Sequence, residues 1–177
     1  MTKGETAMGT QNYLGIKNGV VLCVDGYTGY DLEGEFYHGY SSEPVVFRNA
    51  GELLNRLENL FDLLQFPYAA TTFREFSDDK KTKEKKPAER PRNFTWKKEE
   101  RARVMSDKEI LSKHGDEGTF IVRVQQRQNS SWQGRITWVD EDKTVFFRSV
   151  WEMMKLIDAA LASKEEEPEE KESVGWD

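Results

Sequence analysis

Residues 32–57, LEGEFYHGYSSEPVVFRNAGELLNRL, can be laid over residues 132–157, WQGRITWVDEDKTVFFRSVWEMMKLI, without a gap. Gly34 falls on Gly134, Phe36 on Ile136, Val45 on Val145, Phe47-Arg48 on Phe147-Arg148, and Glu52 on Glu152. A spacing held at one hundred residues over 26 positions marks an internal repeat, and the repeat decides how the chain is divided. Upstream, Gly19-Val-Val-Leu-Cys-Val24 answers the run that starts at Gly118 and ends at Val124, with one residue of slip.

Each copy reads as β-β-β-α. Leu32, Gly34, Phe36 and His38 alternate with Glu33, Glu35, Tyr37 and Gly39, while Trp132, Gly134, Ile136 and Trp138 alternate with Gln133, Arg135, Thr137 and Val139. Period two is the signature of a strand. A turn (41–44 or 140–143) and a short β-rich piece complete a hairpin. Asn49…Glu52 and Ser149…Glu152 are then capping boxes that open helices. Leu53, Leu54, Leu57, Leu60, Phe61 and Leu64 form the apolar face of the first helix, and Val150, Met153, Met154, Ile157 and Leu161 that of the second. A lone unit of about 45 residues buries too little surface to be stable. The expectation is therefore an α+β protein, a duplicated β-β-β-α unit in which antiparallel sheet is covered by two amphipathic helices.

Around this frame the chain divides into a flexible N-terminus (1–12), a first copy with an added strand on each side (13–77), a basic linker (78–117), a second copy (118–163) and an acidic disordered tail (164–177). The added strands are Tyr13–Ile16, joined through Asn18-Gly19, and a segment near 70–76. The linker holds a short helix, capped by Ser106 and Glu109 and stopped by Gly115.

Charge follows the same division. Between Lys80 and Arg103 eleven cationic side chains face four glutamates, a local +7 within a chain of net charge −6, so the remainder carries −13. That balance argues against nucleic-acid binding by the molecule as a whole. The basic segment is different, because Arg90, Arg92, Lys97, Lys98, Arg101 and Arg103 surround Phe94 and Trp96. Cations that track phosphates beside aromatics that stack on bases are what a single strand of nucleic acid requires. A solvated linker is the alternative, twice as frequent for such runs.

Catalytic, metal and cofactor chemistry is not expected. Cys23 is the only cysteine, which excludes a disulfide within one chain, and it stands in an apolar strand run. The two histidines, His38 and His114, have no metal-site spacing. Gly26 and Gly29 lack the context of a phosphate loop, and the segment 25–40 reads instead as a tyrosine-rich hairpin loop. Arg48 and Arg148 precede helix starts and recur in both copies, which favours a structural task over anion binding. No apolar run reaches signal-peptide or membrane-span length, so a cytoplasmic location is expected.

The pattern GTFIVRVQ…WQG…TW…FRS…L, over Gly118–Leu161, resembles short uncharacterised bacterial proteins, and Tyr13–Pro67 resembles them more loosely. That resemblance implies no activity, cofactor or site residue. The functional expectation is a non-enzymatic binding or adaptor protein with a protein partner, or a homodimer, contacted through Tyr27, Tyr30, Asn129 and Trp132. A nucleic-acid or nucleotide binder, in regulation or in phage–host conflict, is the second reading.

Overall fold

The computed structural model describes residues 17–29, 31–69, 102–128 and 131–165. The strands are β1 (Val20–Thr28), β2 (Asp31–His38), β3 (Val45–Phe47), β4 (Gly118–Gln128), β5 (Ser131–Trp138) and β6 (Lys143–Phe147). The helices are α1 (Ala50–Leu64), α2 (Asp107–Leu111) and α3 (Val150–Glu165). All six strands join one antiparallel sheet in the order β3-β2-β1-β4-β5-β6. The fold is thus α+β, and its two hairpins share a continuous sheet.

Register relates the two halves closely. Val20 pairs with His38, Leu22 with Phe36, Val24 with Gly34 and Tyr27 with Leu32, with a bulge after Val24. One hundred residues on, Phe120 pairs with Trp138, Val122 with Ile136, Val124 with Gly134 and Arg127 with Trp132, with a bulge after Val124. The slip expected upstream of the hairpins is absent, and Gly19 corresponds to Thr119 rather than to Gly118. At the join, Val21 faces Ile121 while Val20 faces Val122 and Leu22 faces Phe120. Exchanging each residue for its counterpart leaves these three pairs unchanged, so an approximate two-fold axis passes between Val21 and Ile121.

Two glycines make the hairpins possible. A Cβ on Gly34 would stand 2.1 Å from the Cys23 carbonyl oxygen, and one on Gly134 2.1 Å from that of Arg123. Gly34 also has φ +156°, a conformation that side chains disfavour. Both lie beside the bulges, where the strands twist and close on each other.

Strand alternation sends Val20, Leu22, Val24, Phe36, Phe47, Phe120, Val122, Val124, Ile136 and Phe147 to one face. There α1 adds Leu53, Leu57, Leu60 and Phe61, and α3 adds Met153, Ile157 and Leu161. The helices start where expected. Asn49 Oδ1 accepts from Glu52 N–H at 2.8 Å and Ser149 Oγ from Glu152 N–H at 3.1 Å. Glu52 and Glu152 reach back one residue beyond the cap and accept from the Arg48 and Arg148 backbones at 3.1 and 2.7 Å. Helix α3 runs to Glu165, past the expected start of the tail.

The other face carries a smaller core of Val21, Cys23, Ile121 and Ile110, with Met105, Leu111, Tyr37 and Val139 against it. Ile110 comes from α2, which has the expected Ser106–Glu109 capping box. The end of the linker region is therefore part of the fold, and it covers the two central strands. Gly115 does not stop α2, whose cap is Ser112. It lies against β1 instead, where a Cβ would meet Val24 N at 2.4 Å. Residues 13–16 and 70–76, expected as strands, lie outside the described residues, although Ala69 forms a parallel bridge with Arg127. No helix among the described residues is long and apolar enough to cross a membrane.

Candidate functional site

Of the residues expected to meet a partner, Trp132 requires correction. Only 6% of it is exposed. Alternation places it on the core face, where its ring meets Phe61 edge-on at 5.3 Å and its Nε1–H donates to Glu58 at 2.7 Å. A buried indole with a satisfied N–H holds the fold together and presents nothing to a partner. Tyr27 is half-buried and packed against the same core, and its hydroxyl donates to Asp158 of α3. Tyr30 and Asn129 lie outside the described residues, as do Arg90, Arg92, Phe94, Trp96, Lys97, Lys98 and Arg101. Arg103 is described, and it forms an exposed ion pair with Asp107 one turn along.

The Tyr27 contact has a counterpart. Arg127, one hundred residues later and 4% exposed, donates to Glu58 at 2.9 Å, Asp62 at 2.7 Å and the Pro67 carbonyl at 2.7 Å. Glu58 and Asp158 are themselves one hundred residues apart. The helix of each half is thus tied to the hairpin of the other. A buried guanidinium satisfied in this way is structural, since breaking one partner would leave charge without solvation.

The titratable groups near the sheet do not assemble a reactive pair. Cys23 points to the outer face, and burial, with the charges of Asp25 and Glu35, pushes its thiol up to about 12. His38 lies on the core face beside Phe36, where burial lowers its pKa and Nδ1 accepts from Tyr40 N–H at 3.1 Å. The sheet separates them, so they cannot act as nucleophile and base. No cluster of metal-ligating side chains occurs among the described residues. Arg48 and Arg148 lend their backbone N–H groups to the capping glutamates, and the Arg148 side chain, on the surface, also pairs with Glu152.

Among the described residues, large apolar side chains are exposed at Val46 on the β3 edge, at Leu63, Tyr68 and Val104, and at Val145, Phe146 and Trp151 on and beside the β6 edge. In the first half the outer face is acidic. Burial, and after it the charges of Asp116, Glu35 and Glu33, hold the Asp25 carboxyl above its usual range. Tyr37 donates to Glu35, and burial with that hydrogen bond pushes its phenol up. In the second half the counterparts of Cys23 and Glu35 are Arg123 and Arg135, which face each other across the ladder. Phe146, paired with Arg135, is 60% exposed, and the guanidinium carbon of Arg135 lies 4.4 Å from its ring centre. Val145 and Trp151 are 44% and 68% exposed, so a sheet edge and the first turn of α3 present three large apolar side chains within seven residues. Sequence reasoning missed this group because Phe146 and Trp151 were read only as parts of a strand and a cap. Strand parity was the available signal, since Phe147 on the core face sends Phe146 outward.

Between the core-side edge of β5–β6 and α3 lies a cleft of about 220 Å³, lined by Phe120, Ile136, Trp138, Val145, Leu156 and Ala159, among others. Lys143 and Lys164 stand over the Trp138 ring at its rim, 5.6 and 5.9 Å from the ring centre. Trp138 is half-buried and lends its Nε1–H to Asp140 at 3.0 Å.

Neither a protein-family model nor a curated protein nor a solved structure matches this chain.

Proposed function

We propose that the protein is a non-enzymatic binding module that takes a protein partner, a second copy of itself included, along the β6 edge of a duplicated scaffold. The observation that carries this reading is the exposure of Val145, Phe146 and Trp151 on and beside an edge strand. An unpaired edge with apolar side chains is a template for another strand, and soluble proteins usually protect such edges with charge, proline or a covering element. Aromatic side chains, once desolvated, supply most of the energy in an interface. The identical registers of the two hairpins support the duplication.

Sedimentation velocity on the wild type and on Phe146→Lys, with capture of partners from native lysate before and after nuclease treatment, tests the reading. Association that survives nuclease and disappears in Phe146→Lys, while the far-UV spectrum is unchanged, supports it. Retention that depends on nucleic acid and ignores Phe146→Lys overturns it in favour of the basic segment.

A further inference from the structure

We infer that the partner of the β6 edge is a second copy of this chain, joined by antiparallel pairing of β6 with β6 about a two-fold axis at Val145. The inference rests on the β6-edge reading and adds the partner and the register to it.

Among the described residues the sheet has two edges, β3 and β6, and they hold equivalent places in the repeat. The first is protected. It is three residues long, and Pro44, which has no N–H to offer a neighbouring strand, stands immediately before it. One hundred residues on, Thr144 takes the place of Pro44, and β6 runs for five residues without a proline. Lys143, Thr144, Val145 and Phe146 are all exposed. With one open edge per chain, pairing of that edge with its own copy closes a dimer, whereas two open edges would extend a filament.

The register follows from parity and charge. A two-fold axis perpendicular to the sheet keeps the helix-covered faces of both copies on one side. Facing residues must then share parity, so the axis passes through a residue rather than between two. Only an axis at Val145 pairs all five residues of β6. It sets Val145 opposite itself on the helix side, Thr144 opposite Phe146 on the outer side, and Lys143 opposite Phe147, so no two cations face each other. Just beyond the strand it brings Asp142 opposite Arg148, once at each end of the junction. Both are exposed, Asp142 on the turn before β6 and Arg148 after it. A guanidinium has five donors, so Arg148 can keep its 3.3 Å contact with Glu152 and still take the second carboxylate.

An acid before the strand and a base after it suit an antiparallel copy, while a parallel copy would set acid on acid and base on base. The edge of the first half lacks this pattern, because the same operation on β3 would place Ser42 opposite Arg48 and Pro44 opposite Val46. Phe146 is also prepared for an interface. The Arg135 guanidinium carbon, 4.4 Å from its ring centre, already restrains the ring and lowers the entropy cost of ordering it there.

The test is sedimentation equilibrium of the full chain over a concentration series, with two charge-reversed variants and their mixture. The wild type is expected to show monomer and dimer and nothing larger. Asp142→Arg and Arg148→Asp each set like charges together at both ends of the junction and should raise the dimer dissociation constant by about tenfold or more. An equimolar mixture of the two variants restores opposite charges at both ends of a heterodimer and should recover wild-type association. Position 142 has φ +50°, so if Asp142→Arg loses its native circular dichroism, Asp142→Asn, which accepts that conformation, takes its place. Removing both exposed ion pairs in that way should weaken the dimer by about fivefold. A monomer at every concentration, species that grow beyond the dimer, single variants that dimerise like the wild type, or a mixture that stays monomeric overturns the inference. A monomeric chain whose capture of another protein is still abolished by Phe146→Lys would remove this inference and leave the β6-edge reading standing; if Phe146→Lys alters neither association nor capture, both fall.

Discussion

The two halves of this protein share a frame and differ in nearly everything they display. Each has the same ladder, the same bulge, a glycine pressed against a carbonyl, and a helix opened by a capped turn. On that frame the first half sets Cys23, Glu35, Val46 and His38 where the second sets Arg123, Arg135, Phe146 and Trp138. Positions that match are those where backbone closeness or core volume leaves little choice. Positions that diverge include buried ones, such as Cys23 and His38, as well as exposed ones, such as Val46 and Phe146, and the second half carries cations and aromatics at them. The difference separates what the fold needs from what the surface can be used for.

The most severe way to break the equivalence is at the glycines. Gly34→Ala and Gly134→Ala each place a methyl group 2.1 Å from a carbonyl oxygen, which only backbone movement can relieve. Each is expected to cost about 4 kcal/mol in urea denaturation. If one were tolerated while the other was not, the two bulges would not be doing the same work.

Next are the ties between helix and opposite hairpin, which are matched in position but not in chemistry. Arg127→Ala strands the Pro67 carbonyl and leaves Glu58 and Asp62 without their cation, so a loss of about 3 kcal/mol is expected. Tyr27→Phe removes one half-buried hydroxyl and should cost about 1 kcal/mol. Equal losses in calorimetry would contradict this ordering.

The smallest effect concerns pH. Burial lowers the His38 pKa, and the Tyr40 N–H donated to Nδ1 further favours the neutral ring. The unfolded chain then takes up the proton more readily than the folded one. The stability associated with His38 is therefore full above the unfolded value of about 6.5 and declines as the pH falls below it. His38→Trp, which copies Trp138, should flatten stability between pH 7 and pH 5. An unchanged slope would show that His38 titrates alike in both states.

Local chemistry explains which parts of this could be read in advance. Hairpins, capped helix starts and the repeat itself are written in neighbouring residues, and strand parity already grouped Trp132 with Ile136. Its exposure was misjudged because it stands at a strand end next to a loop. What buries it is Phe61 and Glu58, on a helix seventy residues away, and no periodicity within β5 reports that contact. Helix α2 was legible as a helix from its capping box, but its role rests on Ile110 and the neighbouring Leu111, inside a strongly charged stretch. The Arg123–Arg135 pair needed the register between two strands, and a residue on one strand does not announce its partner on the next.

The exchanged contacts Tyr27–Asp158 and Arg127–Glu58 also bear on how the molecule comes apart. Because each hairpin end is sealed by the other half's helix, neither half can open while the other keeps a complete core. Unfolding should be a single cooperative event, and amides in β1 and β4 should exchange with solvent at closely similar rates.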